Sequence, residues 1–278
     1  MTPSAVRNVP ALLQQLRDER FSGTVRVSGH PGGTIHLRDG LIGAIETPGA
    51  PTVTSTLLTS GRITDEDWLA ATAAEPDADR LGGHLVATGL IGAAEFEVCC
   101  AAAVFDGAFA MALSPPGERE VSGPEPALVA EPGFEPRQLT EETARRTAWL
   151  TRLWGPPSEL TRVRPERVES PETAAGWLAP RQQDVLGCVN GRRTARDIAF
   201  TLGRGLYAVL LDLVRLESLG LVRWQPRPAS DTRPSTAPRV PRTDTSATGA
   251  VPKTTALPKR RPGSGLPGRD PGQKGRGG

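Results

Sequence analysis

At 278 residues the chain is long enough for two modest domains, and 37% hydrophobic residues are few for a chain that folds from end to end. No apolar run approaches the roughly 18 residues of a membrane span, and no basic-then-apolar leader is present, so we expect neither membrane insertion nor export. The formal charge of +2 hides a division between a basic arm, residues 226–278, and an acidic remainder. The arm holds eleven Lys and Arg against three Asp, whereas residues 1–225 hold 22 basic and 28 acidic side chains.

The three cysteines indicate a reducing compartment. Cys99 and Cys100 are adjacent and Cys188 is distant, so neither a disulfide framework nor a C-x-x-C pair is present. We therefore expect small buried thiols in a cytoplasmic protein. The abundance of Ala, Gly, Pro and Arg indicates a GC-rich bacterial source.

A helix and a three-stranded meander are predicted near the N-terminus. Apolar residues at helical spacing favour a helix over Val9–Arg17. Alternation then favours strands at Gly23–Ser28 and Thr34–Arg38, joined by a loop rich in Gly. Asp39-Gly40 is a strong hairpin signal and leads into a third strand, Leu41–Ile45.

An internal repeat follows the meander. Residues 57–68 align without gaps on residues 85–96, an offset of 28, with a shared apolar pair, glycine, isoleucine, acid and aromatic residue. Each copy is typical of a helix ended by glycine, a short turn, and a new helix with acids in its first turn. Two such helix–turn–helix units packed on the meander predict an α+β domain.

Five segments of this part of the chain point to a known family. They are SGTVRV, GTIHLRDGLIGAIETPG, LLTSGRI, LGGHLVATGLI and FDGAFAMAL, the last interpreted as a closing strand at Asp106-Gly107. By these segments residues 5–114 resemble the PATAN domain, the N-terminal domain of PatA-type bacterial regulators. The family is thought to mediate protein–protein contacts and has no accepted catalytic residues, so the resemblance implies a domain that binds another signalling protein.

A linker and a docking helix are predicted next. Residues 115–139 are rich in Pro, Gly and Glu and show little periodicity, which is typical of a linker. Residues 140–177 are expected to form a helix that ends at Trp154, followed by an irregular connector. Trp149 and Trp154 lie on the apolar edge of the helix. This edge docks either on the C-terminal domain or on a partner.

Residues 178–225 predict a small helical domain. Helices are expected over Pro180–Val189, over Ala195–Leu202 with a reciprocal cap, and over Leu206–Leu219, followed by a short strand at Leu221–Trp224. Three helices and a strand, with a tight glycine turn before the third helix, resemble the winged-helix families of bacterial transcription regulators.

DNA binding by this domain is left as an alternative. The third helix of a winged helix enters the major groove, and its outward stripe is predicted here to carry Ala208, Asp212 and Arg215. An aspartate there would face phosphates, which favours protein contacts or dimerisation over DNA contact. The basic residues that would serve a nucleic-acid interface are Arg192, Arg193, Arg196, Arg204, Arg215 and Arg223 in the domain, and Lys259, Arg260 and Arg261 in the basic arm.

The basic arm is predicted to be disordered. Its Pro-, Thr-, Ser-, Gly- and Arg-rich sequence has too few apolar residues to offset the entropy lost on ordering. The arm either holds nucleic acid or an acidic protein surface non-specifically, or it is a solvated segment that aids solubility.

No constellation of residues points to catalysis. His30, His36 and His84 lack metal-ligand spacing, and no phosphate-binding loop or nucleophile motif is present. We therefore expect no enzyme activity, no metal and no cofactor. The favoured hypothesis is a cytoplasmic regulatory adaptor that contacts another signalling protein and dimerises or relays through the winged helix. The alternative is a DNA-binding transcriptional regulator that uses the winged helix and the basic arm.

Overall fold

The computed structural model describes residues 8–168 and 178–224. The predictions for the basic arm, including Lys259, Arg260 and Arg261, lie outside the described residues. Within the described ranges the chain combines α-helices with antiparallel strands, in agreement with the α+β expectation.

The secondary structure alternates between helical and strand segments. The helices of the described ranges are α1 (Val9–Asp18), α2 (Val53–Thr59), α3 (Asp65–Ala74), α4 (Ala78–Ala87), α5 (Ala93–Ala112), α6 (Pro136–Leu153), α7 (Pro157–Leu160), α8 (Pro180–Cys188), α9 (Ala195–Leu202) and α10 (Leu206–Ser218). The strands there are β1 (Gly23–Val27), β2 (Gly33–Arg38), β3 (Leu41–Glu46), β4 (Arg119–Ser122), β5 (Pro165–Arg167) and β6 (Val222–Trp224). No helix in residues 8–168 or 178–224 has the length and apolar character needed to cross a bilayer.

The larger sheet has the strand order β3-β2-β1-β4. The predicted meander forms its first three strands, and the turn between β2 and β3 has positive φ at both Asp39 (50°) and Gly40 (76°). This conformation is the one that the Asp-Gly pair favours in two-residue hairpins. Val25 and Leu37 of the sheet are buried in a core that also contains Leu13 of α1 and Val104 of α5.

The prediction of a closing strand at Asp106-Gly107 is wrong, because both residues lie inside α5. Phe96, Cys100 and Val104 are buried at successive turns of this helix, which is the periodicity of a helix and not of a strand. Alanine is abundant in the same stretch and has the highest helix propensity.

The segment predicted as a linker, residues 115–139, contributes strand β4 to the sheet and the first residues of α6. Strand β4 pairs antiparallel with β1, and Val121 of β4 lies opposite Val25. Farther along, the backbone N–H of Phe134 donates to the carbonyl oxygen of Ile42 at 2.8 Å, so the segment also covers the edge of β3. The four residues of β4 pair through their backbone. Their side chains do not alternate between apolar and polar residues, so the sequence did not predict this strand.

The C-terminal helices share a core with α5 and α6. Leu210 and Leu213 of α10 are buried together with Phe109 of α5 and Leu150 of α6. The connector that was predicted to be irregular contains α7 and β5, and β5 pairs antiparallel with β6. The docking helix α6 begins four residues earlier than predicted, with Pro136 in its first turn, where the missing N–H of proline is tolerated.

Candidate functional site

Helix α10 begins without a capping side chain of its own. Its N-cap residue is Gly205, which offers no side-chain oxygen to the free N–H groups of the first turn. Asp106 of α5 supplies that oxygen from 100 positions away in the sequence. Its Oδ2 accepts a hydrogen bond from the N–H of Leu206 at 2.5 Å, and its Oδ1 accepts one from the N–H of Tyr207 at 2.8 Å. The carboxylate of one helix therefore caps another.

The surroundings of Asp106 are nearly closed to solvent, since only 3% of the residue is exposed. The small size of Gly205 permits the approach, because a Cβ atom at that position would lie 3.1 Å from Cγ of Asp106. Burial raises the pKa of Asp106, whereas the two backbone N–H groups and the guanidinium of Arg146 favour the ionised form. A buried carboxylate is costly, and its three partners offset part of that cost.

Arg146 of α6 joins Asp106 to the aromatic side chains around it. Its Nη1 lies 3.8 Å from Oδ1 of Asp106, and its Nε donates to Glu142 at 2.8 Å. The guanidinium carbon lies 4.9 Å from the ring centroid of Tyr207, within the range of a cation–π contact. Helices α5, α6 and α10 thus meet in one group of side chains, which we call the Asp106 junction: Asp106, Glu142, Arg146, Gly205 and Tyr207.

A shallow cleft of about 450 Å³ lies beside the junction and is lined by Phe105, Gln138, Glu141, Glu142 and Arg145. Burial works to raise the pKa of Glu142, but hydrogen bonds from Arg146 and Arg145 lower it overall, so this carboxylate is already engaged in ion pairs. In residues 8–168 and 178–224 no three His, Cys, Asp or Glu side chains are grouped as metal ligands.

A second contact holds the turn before α10 against α2. Gly203 has a φ of +58°, a left-handed conformation that glycine adopts without strain. A Cβ atom added there would lie 2.9 Å from Cβ of Thr59, at the end of α2. The turn therefore requires glycine both for its backbone conformation and for its close approach to α2.

The prediction that Asp212 lies on an outward stripe of α10 is wrong. Asp212 is 5% exposed, and its Oδ2 accepts a hydrogen bond from Arg204 at 2.6 Å. Arg181 of α8 lies 3.5 Å from its other oxygen. The prediction from the helical spacing of apolar residues took α10 to have one buried face. In the structure α10 packs against α8, α9, α5 and α6 and is buried on most sides. Arg204, which was expected to contact nucleic acid, is instead paired within the fold.

The other predicted nucleic-acid contacts separate into two places. Arg215 is exposed on α10, whereas Arg223 lies in β6 and the carbonyl oxygen of Arg192 accepts a hydrogen bond from Arg164, next to β5. Arg193 and Arg196 follow Arg192 closely in the chain. Sequence reasoning missed the arginines at positions 164 and 167, because the connector that carries them was predicted to lack structure. Their number in a short segment, two within four residues, was the available signal.

The two tryptophans of the predicted docking edge have different environments. Trp154 packs edge-to-face on Trp224, with ring centroids 5.6 Å apart, so its partner is the C-terminal part of the same chain. Trp149 is 46% exposed and Leu153 is 48% exposed. These two residues, here called the α6 edge, form a short apolar surface on the outer side of α6.

Comparison of the chain with protein-family models, curated proteins and solved structures finds no match. The Asp106 junction and the α6 edge are therefore interpreted from their own geometry.

Proposed function

We propose that the protein is a non-catalytic bacterial regulatory adaptor that acts through protein–protein contacts. In this proposal the PATAN-like N-terminal domain, together with α6, binds a partner, and the winged-helix-like C-terminal domain dimerises or relays the signal. The observation that carries the proposal is the cap that Asp106 of α5 provides to α10. Because the cap of α10 comes from α5, the stability of α10 depends on the position of α5.

The two buried aspartates of the described ranges both serve α10. Asp106 binds its first turn, and Asp212, in its middle, binds Arg204 and Arg181. Loss of an N-cap costs about 1 kcal/mol, and couplings of about 1–3 kcal/mol are typical of allosteric proteins. Movement of α5 by a small distance would therefore change the stability of α10 enough to be read by a partner.

The α6 edge is the surface that we assign to partner docking. Trp149 follows Arg146 by three residues, so the exposed apolar surface lies one helical turn from the junction. Tryptophan is among the residues that most often anchor protein interfaces. A partner bound at this edge would displace α6, the helix that holds Arg146 beside Asp106.

The geometry disfavours the alternative in which α10 reads DNA. In that mode the first residues of the recognition helix contact base edges in the major groove. Leu206 is buried here, and the N–H groups of Leu206 and Tyr207 are occupied by Asp106. Of the outward stripe that was predicted, Ala208 and Arg215 are exposed and Asp212 is not.

Site-specific photo-crosslinking in the native host tests the adaptor proposal. A photoreactive phenylalanine derivative is placed at Trp149 of the full chain, and a matched control carries it at Ala144, which is exposed on the same helix. We expect a reproducible protein adduct from position 149 that is weakened by Leu153→Ser and absent from position 144. Equal adducts from the two positions, with both chains folded, would contradict the proposal.

A further inference from the structure

The small sheet of β5 and β6 carries a basic surface that the adaptor function does not use. We call it the arginine surface: Arg164, Arg167, Arg192, Arg193, Arg196 and Arg223. Four of these residues are exposed, and Arg193 and Arg196 are half-buried. They come from three separate segments of the chain, residues 164–167, 190–197 and 222–224.

Direct contacts bring the three segments together. The N–H of Gly191, in the turn between α8 and α9, donates to the carbonyl oxygen of Pro165 at 3.0 Å. The Nε of Arg164 donates to the carbonyl oxygen of Arg192 at 2.9 Å. In the sheet, Arg223 lies opposite Glu166. The turn, β5 and β6 therefore present one continuous surface.

The acidic residues of these segments do not cancel its charge. The three segments hold six arginines and two acids, a net charge of +4. Glu166 is paired with Arg223 at 2.9 Å. Asp197 accepts hydrogen bonds from the N–H and the hydroxyl of Thr194 as part of a helix cap. The carboxylates are thus engaged, and guanidinium groups dominate the surface.

The charge of the surrounding chain sharpens the contrast. Residues 1–225 carry an excess of six acidic side chains, so the arginine surface is a local reversal of sign. Strand β6 ends at Trp224, and the basic arm with its excess of eight positive charges follows directly in the sequence. The basic arm therefore follows, in the sequence, the strand that carries Arg223.

We propose that the arginine surface binds the phosphate backbone of nucleic acid without reading its base sequence. Arginine suits this role because its planar guanidinium donates paired hydrogen bonds to phosphate oxygens. A protein partner would need an apolar centre at the interface. None of the large exposed hydrophobic side chains of the described ranges belongs to β5, β6 or the turn between α8 and α9, and only Phe200 lies on the same helix as an arginine of the surface, one turn after Arg196. These side chains are Leu69, Val98, Val121, Trp149, Leu153, Phe200 and Leu219.

Fluorescence anisotropy of a labelled DNA duplex of mixed sequence, titrated with the full chain at several salt concentrations, tests the proposal. The surface variant is Arg167→Gln/Arg192→Gln/Arg193→Gln. The matched control, Arg26→Gln/Arg80→Gln/Arg137→Gln, removes three exposed arginines of β1, α4 and α6 and the same charge. Each lost phosphate contact lowers the slope of log affinity against log salt by about 0.9, so we expect the surface variant to lower it by about 2.7 and to weaken binding by roughly tenfold or more. The control is expected to change binding less than about twofold, as a non-contacting charge change should.

Four results would overturn this inference. The first is an equal loss of affinity in the surface variant and the control. The second is binding that is abolished by Lys259→Gln/Arg260→Gln/Arg261→Gln in the basic arm and unchanged in the surface variant. The third is competition by polyglutamate that matches competition by DNA at equal charge, which would assign an acidic polypeptide instead. The fourth is a loss of sequence-dependent DNA binding in an Arg215→Gln chain, which would show that α10 contacts the bases. None of these outcomes affects crosslinking at position 149, so the two proposals fail independently.

Discussion

Replacing Asp106 with alanine removes the cap of α10 while leaving α5 with the best helix-forming residue. The N–H groups of Leu206 and Tyr207 then lose their acceptor, and Leu206 is too buried for water to replace it. An unpartnered buried donor costs about 1–3 kcal/mol, and the folded protein regains part of the cost of burying the carboxylate. We therefore expect Asp106→Ala to lower the free energy of unfolding by about 2–4 kcal/mol.

Urea unfolding of the full chain, followed by circular dichroism and by tryptophan fluorescence, measures this loss. The matched control is Asp77→Ala, because Asp77 is the N-cap of α4 and accepts a local hydrogen bond from the N–H of Asp79. Its loss is expected to cost about 1 kcal/mol. An Asp106→Asn chain retains a carbonyl acceptor and should fall between the two. If Asp106→Ala costs no more than Asp77→Ala, the reasoning that links α5 to α10 is refuted.

Three further predictions concern titration, thiol reactivity and backbone strain. Because burial raises the folded pKa of Asp106 above 3.8, the part of the stability that is linked to its protonation is full below that value and is lost as pH rises through the folded pKa, whereas the two cap hydrogen bonds remain. Urea unfolding over that range should show a flatter pH dependence for Asp106→Asn than for the native chain, and an unchanged dependence would count against this titration. Burial raises the pKa of Cys99 and raises that of Cys100 to about 12, so Ellman's reagent should modify Cys188 in the folded protein and the other two thiols only in urea; rapid reaction of all three in native buffer would contradict the packing of α5. Gly203→Ala should lower the stability by about 1–2 kcal/mol owing to its positive φ, whereas Gly83→Ala, with open space around its Cβ position in α4, should be neutral or stabilising by up to about 1 kcal/mol, both read from thermal unfolding.

Local signals in the sequence predicted the elements whose causes are local. The helix at Val9 has a side-chain cap at Asn8, and the strands that follow are joined by the Asp-Gly turn. The cap between Thr194 and Asp197 at the start of α9 is likewise formed by neighbours in the sequence. In such cases the residues that decide the structure stand within a few positions of one another.

Features that depend on distant residues were missed. Strand β4 is held by backbone pairing to β1, which is distant in sequence. The side chains of β4 do not alternate between apolar and polar residues, so its sequence did not predict a strand. Asp106 was assigned to a closing strand, so its role as a cap for a helix 100 residues later had no signal. The burial of Asp212 follows from helices packing on several sides of α10, which helical periodicity alone does not reveal.

Native-state hydrogen exchange of the full chain tests the coupling between α5 and α10 most directly. The amides of Leu206 and Tyr207 are compared with those of β2 in the native protein and in Asp106→Ala. We expect the opening free energy of the two α10 amides to fall by about 2–4 kcal/mol relative to β2 when the carboxylate is removed. Unchanged protection of Leu206 and Tyr207 in Asp106→Ala would contradict it.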